Sequence, residues 1–112
     1  RVDDSSEGPF RAKPHTASAL LCGDFNLPPS AREYQVLQED GLHDLWPAVH
    51  GGQPHDPTFL LYDRRWGPEP ITCDFVFASA DLLPRARRME VNPLSRASDH
   101  QPVLVELDDA MT

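Results

Sequence analysis

The sequence predicts a layered α/β or α+β domain. Three observations carry this. A strand-length apolar run, Ala17 to Cys22, is followed by a helix-like stretch and then mostly by strand-like runs, an order that defines the class. Twelve prolines and six glycines cut the 112 residues into short elements. That length suits one small domain, and at 39% hydrophobic residues its core closes on a thin margin.

Each element has a local reason. The run Ala17–Cys22 (ASALLC) is continuous rather than alternating, which predicts a strand buried on both faces. Pro28 and Pro29 stop it. Ser30 and Glu33 have capping-box spacing and predict a helix start, Tyr34, Val36 and Leu37 supply its apolar stripe, and Gly41 closes it. Leu42 to Val49 predicts a second short helix around Leu45 and Trp46, with Trp46 in the core. Gly51 to Pro57 is loop, Thr58 to Tyr62 (TFLLY) a strand, and Asp63 to Pro70 another loop. Strands are then predicted over Ile71–Ser79, Ala86–Val91 and Val103–Leu107, with hairpin pairing toward the C-terminus.

Arg1 to Pro14 shows no apolar periodicity and does not open on Met. We expect residues 1–16 to be an irregular or linker segment of a longer protein, 17–107 to be the domain and 108–112 a tail.

Composition narrows the function. The formal net charge of −8 counts against a large nucleic-acid footprint without excluding one, because acidic residues can gather at a metal site. The basic clusters, Arg64–Arg65 and Arg85, Arg87 and Arg88, read first as solvated faces. Two cysteines, Cys22 and Cys73, make neither a disulfide scaffold nor a zinc framework, and free buried thiols are expected. No run approaches the roughly 18 apolar residues of a membrane span. A cytoplasmic location is the default expectation. His15, His43, His50 and His55 lack partners at ligand spacing and read as ordinary histidines.

Three sets of polar residues interrupt apolar strands: Asp24 with Asn26, Asp74, and Asp99 with His100. In an extended chain residues i and i+2 face the same side, so Asp24 and Asn26 point together while Phe25 packs the other way. A buried carboxylate needs a partner or a metal. Taken singly, each set also has an ordinary reading. Asp24 and Asn26 also read as a turn before prolines, Asp74 as a polar residue on a solvated face, and Asp99–His100 as a turn before a strand. Their joint occurrence favours convergence.

Gly23-Asp24-Phe25-Asn26, Cys73-Asp74-Phe75-Val76-Phe77 and Ser98-Asp99-His100-Gln101-Pro102-Val103 stand in the order of three motifs of the endonuclease/exonuclease/phosphatase superfamily. The chain resembles the C-terminal half of that fold, over about Ala17 to Leu107, with 50 residues from Asp24 to Asp74 and 26 from Asp74 to His100. The resemblance implies part of a four-layer α/β sandwich, one sheet half of the complete fold. It implies that Asp24 orients or deprotonates the attacking water, Asn26 binds the scissile phosphate and His100 contacts a phosphate oxygen. It further implies that Asp74 holds His100 and that Asp99 lies at the metal site. Asp24 and Asp99 are the metal candidates, for Mg²⁺ or Mn²⁺; Asn26, Trp66 and His100 are the substrate-binding candidates.

The chemistry suits these residue types. Hard cations prefer carboxylate oxygens and keep several waters. A neutral amide donates to phosphate without repelling it, and a histidine held by a carboxylate does so with a fixed tautomer or a stabilised charge.

The family's N-terminal motifs, including a metal-binding glutamate, are not found in the sequence. The expected function is therefore a piece of a divalent-metal phosphoesterase, inactive without the other half of its domain, with an uncovered sheet face that favours self-association. The alternatives are a DNA-repair-type endo- or exonuclease specifically, with Arg64, Arg65 and Trp66 on a nucleic acid, and a non-catalytic binding module. The acidic balance leans toward a small phosphoester or phospholipid head group.

Overall fold

The computed structural model describes residues 16–109. Its elements are β1 (Leu20–Asp24), α1 (Arg32–Glu39), β2 (Leu42–Asp44), α2 (Leu45–His50), β3 (Asp74–Ser79), a 3₁₀ segment (Ala80–Arg85), β4 (Ala86–Val91) and β5 (Val103–Leu107). They form two small antiparallel sheets with helices, an α/β mix in keeping with part of the expected fold. The first sheet has the order β1-β3-β2; the second is the β4–β5 pair that the sequence predicts as a hairpin.

Strand β3 organises the core because both of its faces are used. Phe75 and Phe77 point one way and pack with Tyr34, Phe25, Leu27, Leu37 and Leu42 beneath α1. Ala78 points the other way into a cluster with Leu45, Trp46, Leu82, Met89 and Val91, which ties α2 and the second sheet to the first. Phe75 and Phe77 are almost fully buried, each contributing about 1.5–3 kcal/mol relative to exposure. Phe25 meets both rings edge-on, at 5.9 and 5.2 Å between centroids.

Several expectations are corrected. The first strand runs Leu20–Asp24 rather than Ala17–Cys22, and it is exposed along its whole length, with Leu20 50% and Leu21 40% accessible. It pairs with β3 on one side only and so forms a sheet edge. Ser30 does not cap α1. The Ala31 N–H bonds the Pro28 carbonyl at 3.0 Å, and this turn moves the N-cap to Ala31, whose side chain caps nothing. The helix does end as expected, with Gly41 at φ 92° just beyond Asp40. The second helix is shorter than Leu42–Val49 because Leu42–Asp44 pairs with β3 and Asp44 then caps α2, accepting the Trp46 N–H at 3.0 Å.

Thr58–Tyr62 is not a ladder strand. Phe59 makes single antiparallel bridges to Ile71 and to His100, and Leu60, at φ 68°, turns the chain away. The strand expected over Ile71–Ser79 begins its ladder at Asp74. Both cysteines are free, but only Cys73 is buried; Cys22 lies on the exposed edge strand. Of the expected segments outside the domain, 1–15 and 110–112 fall outside the described residues, as does His15.

Candidate active site

The antiparallel register places Asp24, the last residue of β1, directly opposite Asp74, the first of β3. Residues directly opposite on neighbouring strands share a face. His100 arrives from a third direction. The Phe59–His100 bridge and a 2.7 Å bond from the Gln101 N–H to the Thr58 carbonyl fasten the segment before β5 to the end of the sheet. The Phe59 ring stacks on the imidazole at 4.5 Å.

The result is a connected polar group. His100 Nδ1 lies 2.8 Å from Asp74 Oδ2, and its Nε2 lies 3.6 Å from Asp24 Oδ2. Thr58, fully buried, donates its hydroxyl to the same Asp74 oxygen at 2.6 Å. The Thr58 oxygen in turn accepts the backbone N–H groups of Cys73 and Asp74, at 3.3 and 3.2 Å. Every ring and carboxylate orientation in this group is therefore fixed by a second contact.

The charges act on His100. Burial by itself favours the neutral ring, but the Asp74 hydrogen bond and the charges of Asp74, Asp24 and Asp99 outweigh it and raise the imidazole above its ordinary value. With Nδ1 turned to Asp74, Nε2 is the free edge of the ring, and its side chain remains 30% exposed.

Asp24 combines the two readings offered by its sequence. Its Oδ1 accepts the Asn26 N–H at 2.8 Å, a local turn, while its Oδ2 faces His100. Asn26 sits at φ 55°, so the extended geometry that would have aligned it with Asp24 ends before it. Its carboxamide is exposed and, among the described residues, bonds nothing. Asp99 is exposed beside His100, close to the Ser98 hydroxyl at 3.4 Å. Trp66 stands apart: it is 73% exposed on its loop, with no stacking or hydrogen-bonding partner among the described residues.

The structure thus joins Asp24, Asp74 and His100, sets Asp99 alongside and places Asn26 on the adjoining turn. Sequence reasoning missed Thr58, Phe59 and Gln101. The available signal was a polar residue at the head of the TFLLY run, the same pattern that singled out Asp74. Gln101, 5% exposed, donates to the carbonyls of Asn92 and Ser95 at 2.8 and 3.0 Å and pins the loop that delivers Asp99 and His100.

Two sets of donors bear on a metal. Ligand atoms of Cys73, Asp74 and His100 lie within 4.8 Å of one another. This set suits a hard cation poorly: it holds a soft sulfur and an imidazole, Asp74 and His100 already bond each other, and the Cys73 thiol is pushed up to about 12 by burial and by the charges of Asp74 and Asp24. Asp24 and Asp99 offer accessible carboxylate oxygens, the donors that Mg²⁺ or Mn²⁺ takes alongside water and substrate oxygens.

The remaining candidates are structural. Arg65, Arg87 and Arg88 pair with Asp63, Asp108 and both Glu90 and Glu106. His50 and His55 stack on Trp46 at 3.9 and 4.3 Å. Among the described residues no helix is long and apolar enough to cross a membrane.

Strand order, register and the Asp74–His100 pair define a small α/β fold with a carboxylate-held histidine at the end of its first sheet. The chain belongs to the Endonuclease/Exonuclease/phosphatase family, whose model matches residues 7–100. Members of this family are generally hydrolases of phosphoester bonds and generally depend on a divalent metal. No curated protein and no solved structure gives a match to this chain.

Proposed function

We propose that the protein is a divalent-metal-dependent phosphoester hydrolase that directs water in line at a phosphate held between Asp24, Asn26 and His100. The observation that carries this is the His100 ring, held by Asp74 at 2.8 Å with its Nε2 edge turned to Asp24. A ring that stays protonated at higher pH keeps an Nε2–H to donate to a non-bridging phosphate oxygen. One such donor is typically worth about 10²–10³ in rate. Asp24 orients the water and takes its proton. The Asn26 carboxamide donates to phosphate without adding negative charge. Asp74 positions the ring and keeps its charge balanced.

Asp24 and Asp99 would hold Mg²⁺ or Mn²⁺, which supplies charge neutralisation on the phosphoryl oxygens when bound. Two carboxylates are a small donor set. We include in the proposal a further acidic ligand from the rest of the domain, upstream in the chain or on a second chain, with β1 as the edge along which it docks. Turnover by the 112 residues alone is accordingly expected to be low. A DNA-repair-type nuclease is the narrower form of this reading, and the exposed Trp66 indole is the feature that favours it.

The test is hydrolysis of an activated phosphodiester and an activated phosphomonoester by the longest available form of the protein. Mg²⁺ or Mn²⁺ should be required, and Asp24→Asn should lower the rate by about 10² or more with the fold retained. A rate that survives chelation, or that is equal in wild type and Asp24→Asn, overturns the proposal.

A further inference from the structure

A cleft of about 450 Å³ opens beside Asp99, lined in part by Tyr62, Asp63, Arg65 and Arg96. Its two arginines are not equivalent. Arg65 is chelated by Asp63, its Nε reaching both carboxylate oxygens at 3.1 and 2.9 Å and its Nη2 one of them at 2.6 Å. Its charge is matched on the spot. Arg96 instead sits over the face of Tyr62, with Cζ 3.9 Å from the ring centroid. Among the described residues its guanidinium has no carboxylate and no hydrogen-bond acceptor. The cation–π contact holds the guanidinium over the ring and leaves its N–H groups to donate, and a guanidinium fork matches the oxygens of a phosphate.

The platform is itself held. The Tyr62 hydroxyl donates to the Pro93 carbonyl. Gln101 ties down Asn92 and Ser95, the latter immediately before Arg96, and the Leu94 N–H bonds Asn92 Oδ1 at 2.9 Å. Gln101 is also the neighbour of His100, so one buried side chain sets both the arginine loop and the histidine.

We propose that Arg96, on its Tyr62 platform, is a specificity-determining residue that binds a second, non-scissile phosphate of the substrate. The inference rests on the phosphoester reading of Asp24 and His100 and names its substrate class: a compact molecule carrying two phosphate groups. One unmatched guanidinium in a small cleft, on a chain of net charge −8, suits such a molecule better than a strand whose many phosphates call for a row of cations.

The experiment is an NMR titration of the full chain, reading the Arg96 Nε–Hε and the His100 ring together. The probes are fructose 6-phosphate, fructose 1,6-bisphosphate and a short single-stranded DNA. Both signals should move with the bisphosphate, which should bind about tenfold more tightly than the monophosphate. Arg96→Ala should bring that ratio close to one, and so should Arg96→Lys, which keeps the charge but not the fork, while His100 still responds. Equal affinities in wild type, or a preference that survives Arg96→Ala, overturn the inference and leave the phosphoester reading intact. A response at Arg96 with a silent His100 overturns both, since it leaves only an isolated anion site; silence at both positions does the same. Tighter binding of the DNA, lost in Arg96→Ala, overturns the assignment to a compact substrate.

Discussion

Asp24 and Asp74 are direct cross-strand partners, and His100 reaches both, at 3.6 and 2.8 Å. Like charges directly opposite on a sheet are destabilising. The imidazole relieves this when it is protonated, and the two carboxylates in turn hold the proton on the ring.

The consequence is a measurable titration. In metal-free protein His100 titrates above its ordinary value; Asp74→Asn should lower that value most, because it removes both the hydrogen bond and a charge, and Asp24→Asn should lower it less. The sign for stability follows. A raised histidine contributes stability that is fully present below its unfolded value of about 6.5 and is lost as pH rises through the folded value. The gap in melting temperature between wild type and Asp74→Asn should therefore be widest in mild acid and shrink above neutrality. Ring-proton NMR and thermal melts across pH 5–9 check this, and a His100 unmoved by Asp74→Asn would contradict it.

Thr58 carries a stability prediction. Its hydroxyl serves one carboxylate and two backbone N–H groups in a fully buried setting. Thr58→Val keeps the shape, takes the hydroxyl acceptor from both N–H groups and leaves Asp74 Oδ2 with His100 alone of its two close donors. The expected cost is about 1–3 kcal/mol, read by urea denaturation, with Thr58→Ser close to wild type. A Val variant as stable as wild type would mean that the network contributes nothing net.

These residues also show what the sequence made legible. Asp24, Asp74 and His100 stood out because each is polar where an apolar run predicts burial, and the packing of Phe25 followed from alternation. What joins them was not readable. The register that sets Asp24 against Asp74 is a matter of pairing between strands fifty residues apart, and His100 is placed by one bridge at Phe59 in a segment too irregular to announce itself. Thr58 was passed over because threonine is at home in strands. The burial expected on both faces of β1 is absent for a related reason: an unbroken apolar run reports hydrophobicity, not whether other elements cover its faces. The Ser30 cap failed by one residue because the Pro28–Ala31 turn outweighs a capping-box spacing.

The thiols separate cleanly. Cys73 is 4% exposed, and its thiol is pushed up to about 12 by burial, by Asp74 and by Asp24, whereas Cys22 is exposed. At pH 8 an aromatic disulfide reagent should titrate one thiol in the folded protein and two in denaturant, with Cys73 at least about 10² slower. Cys73→Ser should leave any Mg²⁺ or Mn²⁺ dependence unchanged. Loss of that dependence would move Cys73 into the metal site.

Asn26 allows backbone and side chain to be tested apart. At φ 55° it occupies the left-handed region, which glycine enters freely and most residues enter at a cost of about 1–2 kcal/mol. Asn26→Ala therefore mixes strain with loss of the amide. Asn26→Gly removes only the amide and preserves the turn in which the residue-26 N–H donates to Asp24 at 2.8 Å. Asn26→Asp keeps the size and tolerates the conformation but sets a negative charge where a phosphate should lie. If the carboxamide grips phosphate, Asn26→Gly should lose about 10²–10³ in hydrolysis rate with little change in melting temperature, and Asn26→Asp at least as much. Asn26→Ala should lose both rate and stability. A Gly variant with wild-type turnover would reduce Asn26 to a turn residue and leave Asp24 and His100 as the only groups on that side of the site.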